Sequence, residues 1–395
     1  MDEEGESQML KHDFDEIIDR RHTGCNKYDA YPEEVLPMWV ADTDFKCPQP
    51  IIDAMVKRAQ HGIYGYTNYA KSFNRAVVGW ESRRFGWDIE EDWVLFTPSV
   101  VPALACAVQV FTHPGDHVVV QMPIYHPIHQ VPRENGRVIS NNQLILRNGC
   151  YYIDFEDLEN RLRHPRARMM ILCHPHNPVG KAFTQEELLR IGELCAKHHV
   201  LVLSDEIHHD IVFPGSRHFP FPTLSEAHRD NCVVCINPSK TFNIAGVRTG
   251  AAIIPNKRLR EAYNEGIVNN RINGRTVFGL TAFETAYNEC AYYADQIVDY
   301  LVGNLRFMTQ YFNDFVPQIK VCRMQATYLA WLDCRALGLS QTDLVRFMLE
   351  KAKVALNDGE SFGSGGTGFM RLNFACPRAT LEKGLKSIRA AVQSL

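Results

Sequence analysis

The stretch Val200-Leu201-Val202-Leu203-Ser204-Asp205-Glu206-Ile207-His208 passes from an unbroken apolar run into a carboxylate and a turn. Such a run is too short for an ordinary helix, and its continuous apolarity fits a strand covered on both faces. Four more runs share that character: Val118-Val119-Val120-Gln121, Met169-Met170-Ile171-Leu172-Cys173, Cys232-Val233-Val234-Cys235-Ile236 and Ala251-Ala252-Ile253-Ile254. Between two of them, Thr184-Gln185-Glu186-Glu187-Leu188 is a capping box that opens a helix running to about His198. Strands alternating with helices predict an α/β chain with a mostly parallel sheet wrapped in helices. In such sheets ligands sit at the carboxyl ends of strands, which is where Asn177, Asp205 and Lys240 fall.

Beyond about residue 256 the pattern becomes helical, with one long helix expected from 277 to about 312. Thr327-Tyr328-Leu329-Ala330-Trp331-Leu332 then reads as a strand, 363–368 as a glycine-rich loop, and the chain closes on a helix. The expected organisation is a large ligand-binding domain over 46–285 and a smaller α/β domain built from 1–45 together with 286–395.

Bulk properties narrow the function. The chain has 395 residues, 45% of them apolar, which is enough for a sizeable core, and its net charge of -4 with no long basic run leaves no footprint for nucleic acid or an anionic membrane. The N-terminal stretch MDEEGESQMLKHDF is acidic and lacks the order of a secretory signal, so a cytosolic protein is expected. No apolar run reaches membrane-spanning length. The 12 cysteines are scattered without scaffold spacing, as reduced thiols are. Cys232 and Cys235, three apart on a strand, should point to opposite faces, which disfavours a redox or zinc pair.

The polar segments carry a consistent chemistry. Ser239-Lys240-Thr241-Phe242-Asn243-Ile244-Ala245-Gly246-Val247-Arg248 offers an amine for a Schiff base with a cationic neighbour suited to phosphate. Asp205 would be a buried carboxylate in need of a cation, such as a protonated pyridine nitrogen. Asn177-Pro178-Val179-Gly180 adds an amide for a phenolic oxygen, and Arg371-Leu372-Asn373 a guanidinium for a carboxylate. Together they match the needs of pyridoxal phosphate (PLP). The pairs His174-Pro175-His176 and His208-His209-Asp210 suggest a metal instead, but the ligand spacings of zinc hydrolases are absent.

With those residues in place, the chain resembles fold-type I PLP enzymes of the class I/II aminotransferase family over nearly its whole length. Leu36-Pro37-Met38-Trp39-Val40-Ala41-Asp42-Thr43-Asp44-Phe45, Tyr64-Gly65-Tyr66, Thr97-Pro98-Ser99-Val100-Val101, Pro123-Ile124-Tyr125-His126-Pro127 and Ser204-Asp205-Glu206-Ile207-His208 resemble, more narrowly, the MalY/PatB-type C-S lyases, often described as cystathionine beta-lyases. The resemblance implies the aspartate aminotransferase fold. It implies that Lys240 bears the cofactor, Asp205 pairs with the pyridine nitrogen, Asn177 donates to the phenolic oxygen and Tyr125 stacks on the ring. Ser99, the amides of Val100 and Val101, Ser239 and Arg248 would cradle the phosphate, with Tyr66 reaching it from the neighbouring subunit of a homodimer. Arg371 and Ala41 would face the substrate. His208 is implied near the ring, where many aminotransferases place a tyrosine. Departures from the family pattern are Asn237 and Thr249, at positions that do no chemistry, and an unusually basic segment at 269–275. The implied activity is β-elimination on cystathionine or another S-substituted cysteine, giving thiol, pyruvate and ammonia. Lysine, aspartate and arginine serve transamination of an amino acid with a 2-oxo acid equally well.

Overall fold

The computed structural model describes residues 11–68 and 71–395; residues 1–10, most of the acidic N-terminal stretch, lie outside them. A seven-stranded sheet holds the centre, in spatial order Val94–Thr97, Gly250–Ile253, Cys232–Ile236, Leu201–Asp205, Ala167–Cys173, His117–Val120 and Val138–Asn141. Gly250–Ile253 runs antiparallel to both neighbours, and the other pairings are parallel. All five strands expected from continuous apolarity are present, and the helix Gln185–Lys197 starts on the capping box at Thr184. The two strands not anticipated, Val94–Thr97 and Val138–Asn141, are the sheet edges; in Val138–Asn141 half-exposed residues dilute the apolar signal, whereas Val94–Thr97 is mostly buried and only four residues long.

Alternation along the strands sends side chains into two separate cores. Val118, Val120, Ile171, Leu203, Val233 and Cys235 pack with helix residues such as Leu104 and Tyr263. Val119, Met170, Leu172, Val202, Cys232 and Val234 pack on the other face with Trp80, Leu188 and Phe283. Cys232 and Cys235 therefore face opposite ways, as their spacing requires.

The single helix expected from 277 to about 312 is two helices, Val277–Glu289 and Ala291–Phe315. The break falls where Arg83 Nη2 donates to the Tyr287 carbonyl at 2.7 Å, the oxygen an unbroken helix would give to the Ala291 amide. A guanidinium from 204 positions earlier leaves no local trace in the sequence.

A second, four-stranded antiparallel sheet runs Lys320–Val321, Leu329–Asp333, Phe369–Asn373, Asn357–Asp358. The N-terminal arm is tied to this part of the chain: Leu36–Pro37 pairs in parallel with Val354–Ala355 in a separate two-stranded sheet, and the Asn373 amide of the four-stranded sheet donates to the Met38 carbonyl at 2.9 Å. From there residues 40–45 cross to the large sheet with nearly every carbonyl engaged. Asn373 Nδ2 donates to Val40 O and Asp42 O, both at 2.6 Å. Asn243 Nδ2 donates to Thr43 O at 3.0 Å and Phe45 O at 2.8 Å. Arg20 and the fully buried Lys27 pair with Asp44 at 2.6 and 2.9 Å, and Arg20 also with Asp42 at 2.7 Å. Charges buried this deeply are tolerated because each meets its opposite.

Truncating Asn373→Ala orphans the two arm carbonyls and the Ala375 amide that its Oδ1 accepts at 2.8 Å. Each unmade buried bond costs about 1–3 kcal/mol, so denaturant unfolding should show a total loss of about 2–4 kcal/mol, after partial access of water.

Candidate active site

Lys240 lies on the four-residue helix Ser239–Phe242, just beyond the carboxyl end of the Cys232–Ile236 strand. Its Nζ donates to the Ala41 carbonyl at 2.7 Å, delivered by the N-terminal arm, and the Tyr328 hydroxyl donates to the same oxygen at 3.1 Å. Burial lowers the lysine to about 8, against the pull of Asp42 and with Arg371 adding to the depression. An amine at about 8 is partly neutral near physiological pH, which an exposed lysine is not.

Asp205 ends the adjacent strand, side chain enclosed, and burial raises it to about 7. Among the described residues its one hydrogen-bond donor is the Ile207 amide at 3.3 Å. A carboxylate so poorly compensated gains from any cation brought beside it.

Arg371 is buried on the Phe369–Asn373 strand, lowered to about 10 by burial and still charged at neutral pH. Its Nη1 donates to Asn177 Oδ1 at 3.1 Å, and its Nη2 to the Trp39 carbonyl at 2.8 Å and to Asn357 Oδ1. Its Nε is buried with no partner among the described residues. Because Asn177 spends its oxygen on Arg371, its amide nitrogen is the end left to donate elsewhere.

Lys240, Asp205 and the Asn177 that Arg371 holds border one cavity of about 140 Å³. Ala41, Ser99, Val100, Val101, Tyr125, Asn177, Asp205, His208, Ser239 and Lys240 line it, together with Cys173, Ile207, Asn237 and Ala245. Ser99 is the N-cap of the helix Val100–Phe111, and its side chain makes no capping bond. The Val100 and Val101 amides open that helix, a setting that favours an anion. His208 is buried with Nδ1 unpartnered among the described residues, and burial, with Lys240 and Arg371 nearby, pushes it well below its usual range. It is a neutral imidazole.

Three expected residues are not in the lining. Arg371 stands behind Asn177. Arg248 is exposed, in left-handed backbone with φ 50°, and its guanidinium has no partner among the described residues. Tyr66 is fully exposed on the single chain. Of the four unforeseen lining residues, Asn237 had a usable signal: it directly follows the apolar strand and its Oδ1 accepts from the Ser239 amide at 2.8 Å. Tyr328 also escaped the sequence, since its link to Ala41 joins positions 287 residues apart.

The residues present fit PLP. An underpaired buried carboxylate suits a pyridinium, the free Asn177 amide a phenolate oxygen, a helix N-terminus flanked by Ser99 and Ser239 a phosphate, and a depressed lysine an aldehyde.

The family model of aminotransferase class I and II matches residues 34–388. The chain is 44% identical over 384 residues to cystathionine beta-lyase PatB of Bacillus subtilis, covering 96% of this chain and 99% of that one. It is 32% identical to Protein MalY of Escherichia coli over 97% of this chain and 99% of that one. Among solved structures, cystalysin from Treponema denticola, which contains a PLP cofactor, superposes with a TM-score of 0.94 at 34% identity, covering 98% of this chain and 100% of that one. The buried lysine, carboxylate and arginine thus sit in a scaffold shared along the whole length with these proteins, and the chain belongs to the class I and II aminotransferase family.

Proposed function

We propose that this protein is a PLP-dependent C-S lyase that performs β-elimination on cystathionine or a related S-substituted cysteine. The observation that carries it is the buried trio of Lys240 at about 8, Asp205 at about 7 and the Asn177-bound Arg371 around one cavity, in a chain 44% identical to a cystathionine beta-lyase.

When bound, PLP accepts the electron pair released at Cα of the substrate. The protein supplies the rest. Lys240 would hold the cofactor aldehyde, and its neutral amine would be the base that takes the Cα proton. Asp205 holds the pyridine nitrogen protonated, and Asn177 donates to the phenolic oxygen. Tyr125 and His208 border the ring, the latter uncharged. Ser99, Val100, Val101, Ser239 and Arg248 bind the phosphate. Arg371 takes the α-carboxylate, and the Ala41 carbonyl orients the lysine amine. Loss of the Cα proton is followed by cleavage of Cβ–S; thiol leaves, and the released aminoacrylate takes up water to give pyruvate and ammonia.

The protein works in the cytosol as a homodimer in which Tyr66 reaches the phosphate of the partner. What supports this is the full exposure of Tyr66 beside exposed Ile63 and Tyr64, and, among the described residues, no helix long and apolar enough to cross a membrane. The division into 46–285 and 1–45 with 286–395 is supported by the pairing of the arm with Val354–Ala355 and by its bond to Asn373.

Purified protein given cystathionine should release pyruvate, ammonia and homocysteine with no added 2-oxo acid. Product formation that requires a 2-oxo acid, with the amino group transferred to it, would assign the aminotransferase activity instead.

The active form of Lys240 as a base is the neutral amine, so kcat should rise with pH through a half-point near 8, not near the 10.5 of an exposed lysine, and level off about a unit higher. A half-point near 6.5, the ordinary value for a histidine, would move the role to an imidazole.

A further inference from the structure

The turn after the Asp205 strand presents two faces. Asp205, Ile207 and His208 line the cavity, whereas Glu206, His209 and Asp210 do not and are buried in protein. Glu206 accepts from Ser204 Oγ at 2.7 Å and the Phe221 amide at 3.2 Å, and His218 Nε2 lies 2.8 Å from it. Asp210, its side chain 1% exposed, accepts from Trp80 Nε1 at 3.1 Å on one oxygen and from Thr241 Oγ1 at 2.9 Å on the other. His209 Nε2 lies 3.5 Å from Asp210 and 3.6 Å from Glu81. Thr241 is the residue next to Lys240.

We propose that Asp210 is a positioning residue for Lys240: through Thr241, one buried carboxylate fixes the amine-bearing helix against the strand end that carries Asp205, and through Trp80 it anchors both to the helix Lys71–Phe85. Four residues of helix have almost no stability of their own. This one lacks a side-chain cap at Pro238 and ends on Asn243 in left-handed backbone at φ 56°. Its place depends on outside ties, and among the described residues the Thr241–Asp210 bond is the side-chain hydrogen bond that connects it to the turn after Asp205. The titratable groups facing Asp210 are His209, His218 and Tyr287 and, behind His209, Glu81 and Glu206. Burial lowers His209, but Asp210 and Glu81 beside it raise the imidazole overall, and burial raises Glu81 to about 8. With two neutral donors and an imidazole around it, Asp210 is held in a fixed place.

The inference rests on Lys240 being the cofactor-bearing amine, so it is tested first on resting, PLP-loaded protein without substrate. The pH titration of the visible band reports the environment of the lysine nitrogen. Asp210→Asn should shift its midpoint by about half a unit, because an acceptor in the Trp80–Asp210–Thr241 link is lost and the helix that carries the nitrogen moves. Thr241→Val should lower kcat by about 10- to 100-fold with little change in KM, the cost of a misplaced amine, and Thr241→Ser should restore it. Unchanged band titration and unchanged kcat per bound cofactor in both Asp210→Asn and Thr241→Val, with only thermal stability reduced, would overturn the proposal. If Asp210→Asn fails to fold, the Thr241→Val and Thr241→Ser pair decides. A wild type that develops no band with PLP would overturn the cofactor assignment and this inference with it; a normal band with unaffected variants overturns the inference alone.

Discussion

A lysine amine buried in protein must either lose its charge or meet an acceptor, and the site is organised around how Lys240 does both. Its nitrogen is lowered to about 8 and bonded to a single backbone oxygen, that of Ala41. That oxygen belongs to an extended arm which would be costly to bury were its other carbonyls not matched. Asn373 and Asn243 provide the matching, two carbonyls each, from the two ends of the cleft. The arm is therefore at once the seam between the two sheets and a wall of the site.

The electrostatics follow from the same enclosure. Asp205 at about 7 and Lys240 at about 8 are both displaced toward neutrality, each by burial. A cationic ring nitrogen against Asp205 and an anionic phosphate at the Val100–Phe111 helix start would restore what burial removes. Arg371 is different: its guanidinium is already held by Asn177, Asn357 and the Trp39 carbonyl, which fixes its direction before any carboxylate arrives.

The sequence carried the architecture well where the signal is local. Continuous apolar runs gave the five inner strands, Thr184 with Glu187 gave a helix start, and the strand ends gave Asn177, Asp205 and Lys240. It was silent where the determinant is remote. Arg83 splits a helix 204 residues away, and Tyr328 reaches Ala41 across 287. Cys173, Ile207 and Ala245 line the cavity by position alone, with no polar chemistry to flag them. Arg248 and Tyr66, which family resemblance places at the phosphate, stand outside the lining of the single chain.

The central claim is that one lysine carries the cofactor. Borohydride reduction of the PLP-loaded protein, followed by proteolysis and mass mapping, should find the pyridoxyl adduct on Lys240 and nowhere else in stoichiometric yield. A reduced protein with no adduct, or with the adduct on another lysine, would contradict the account.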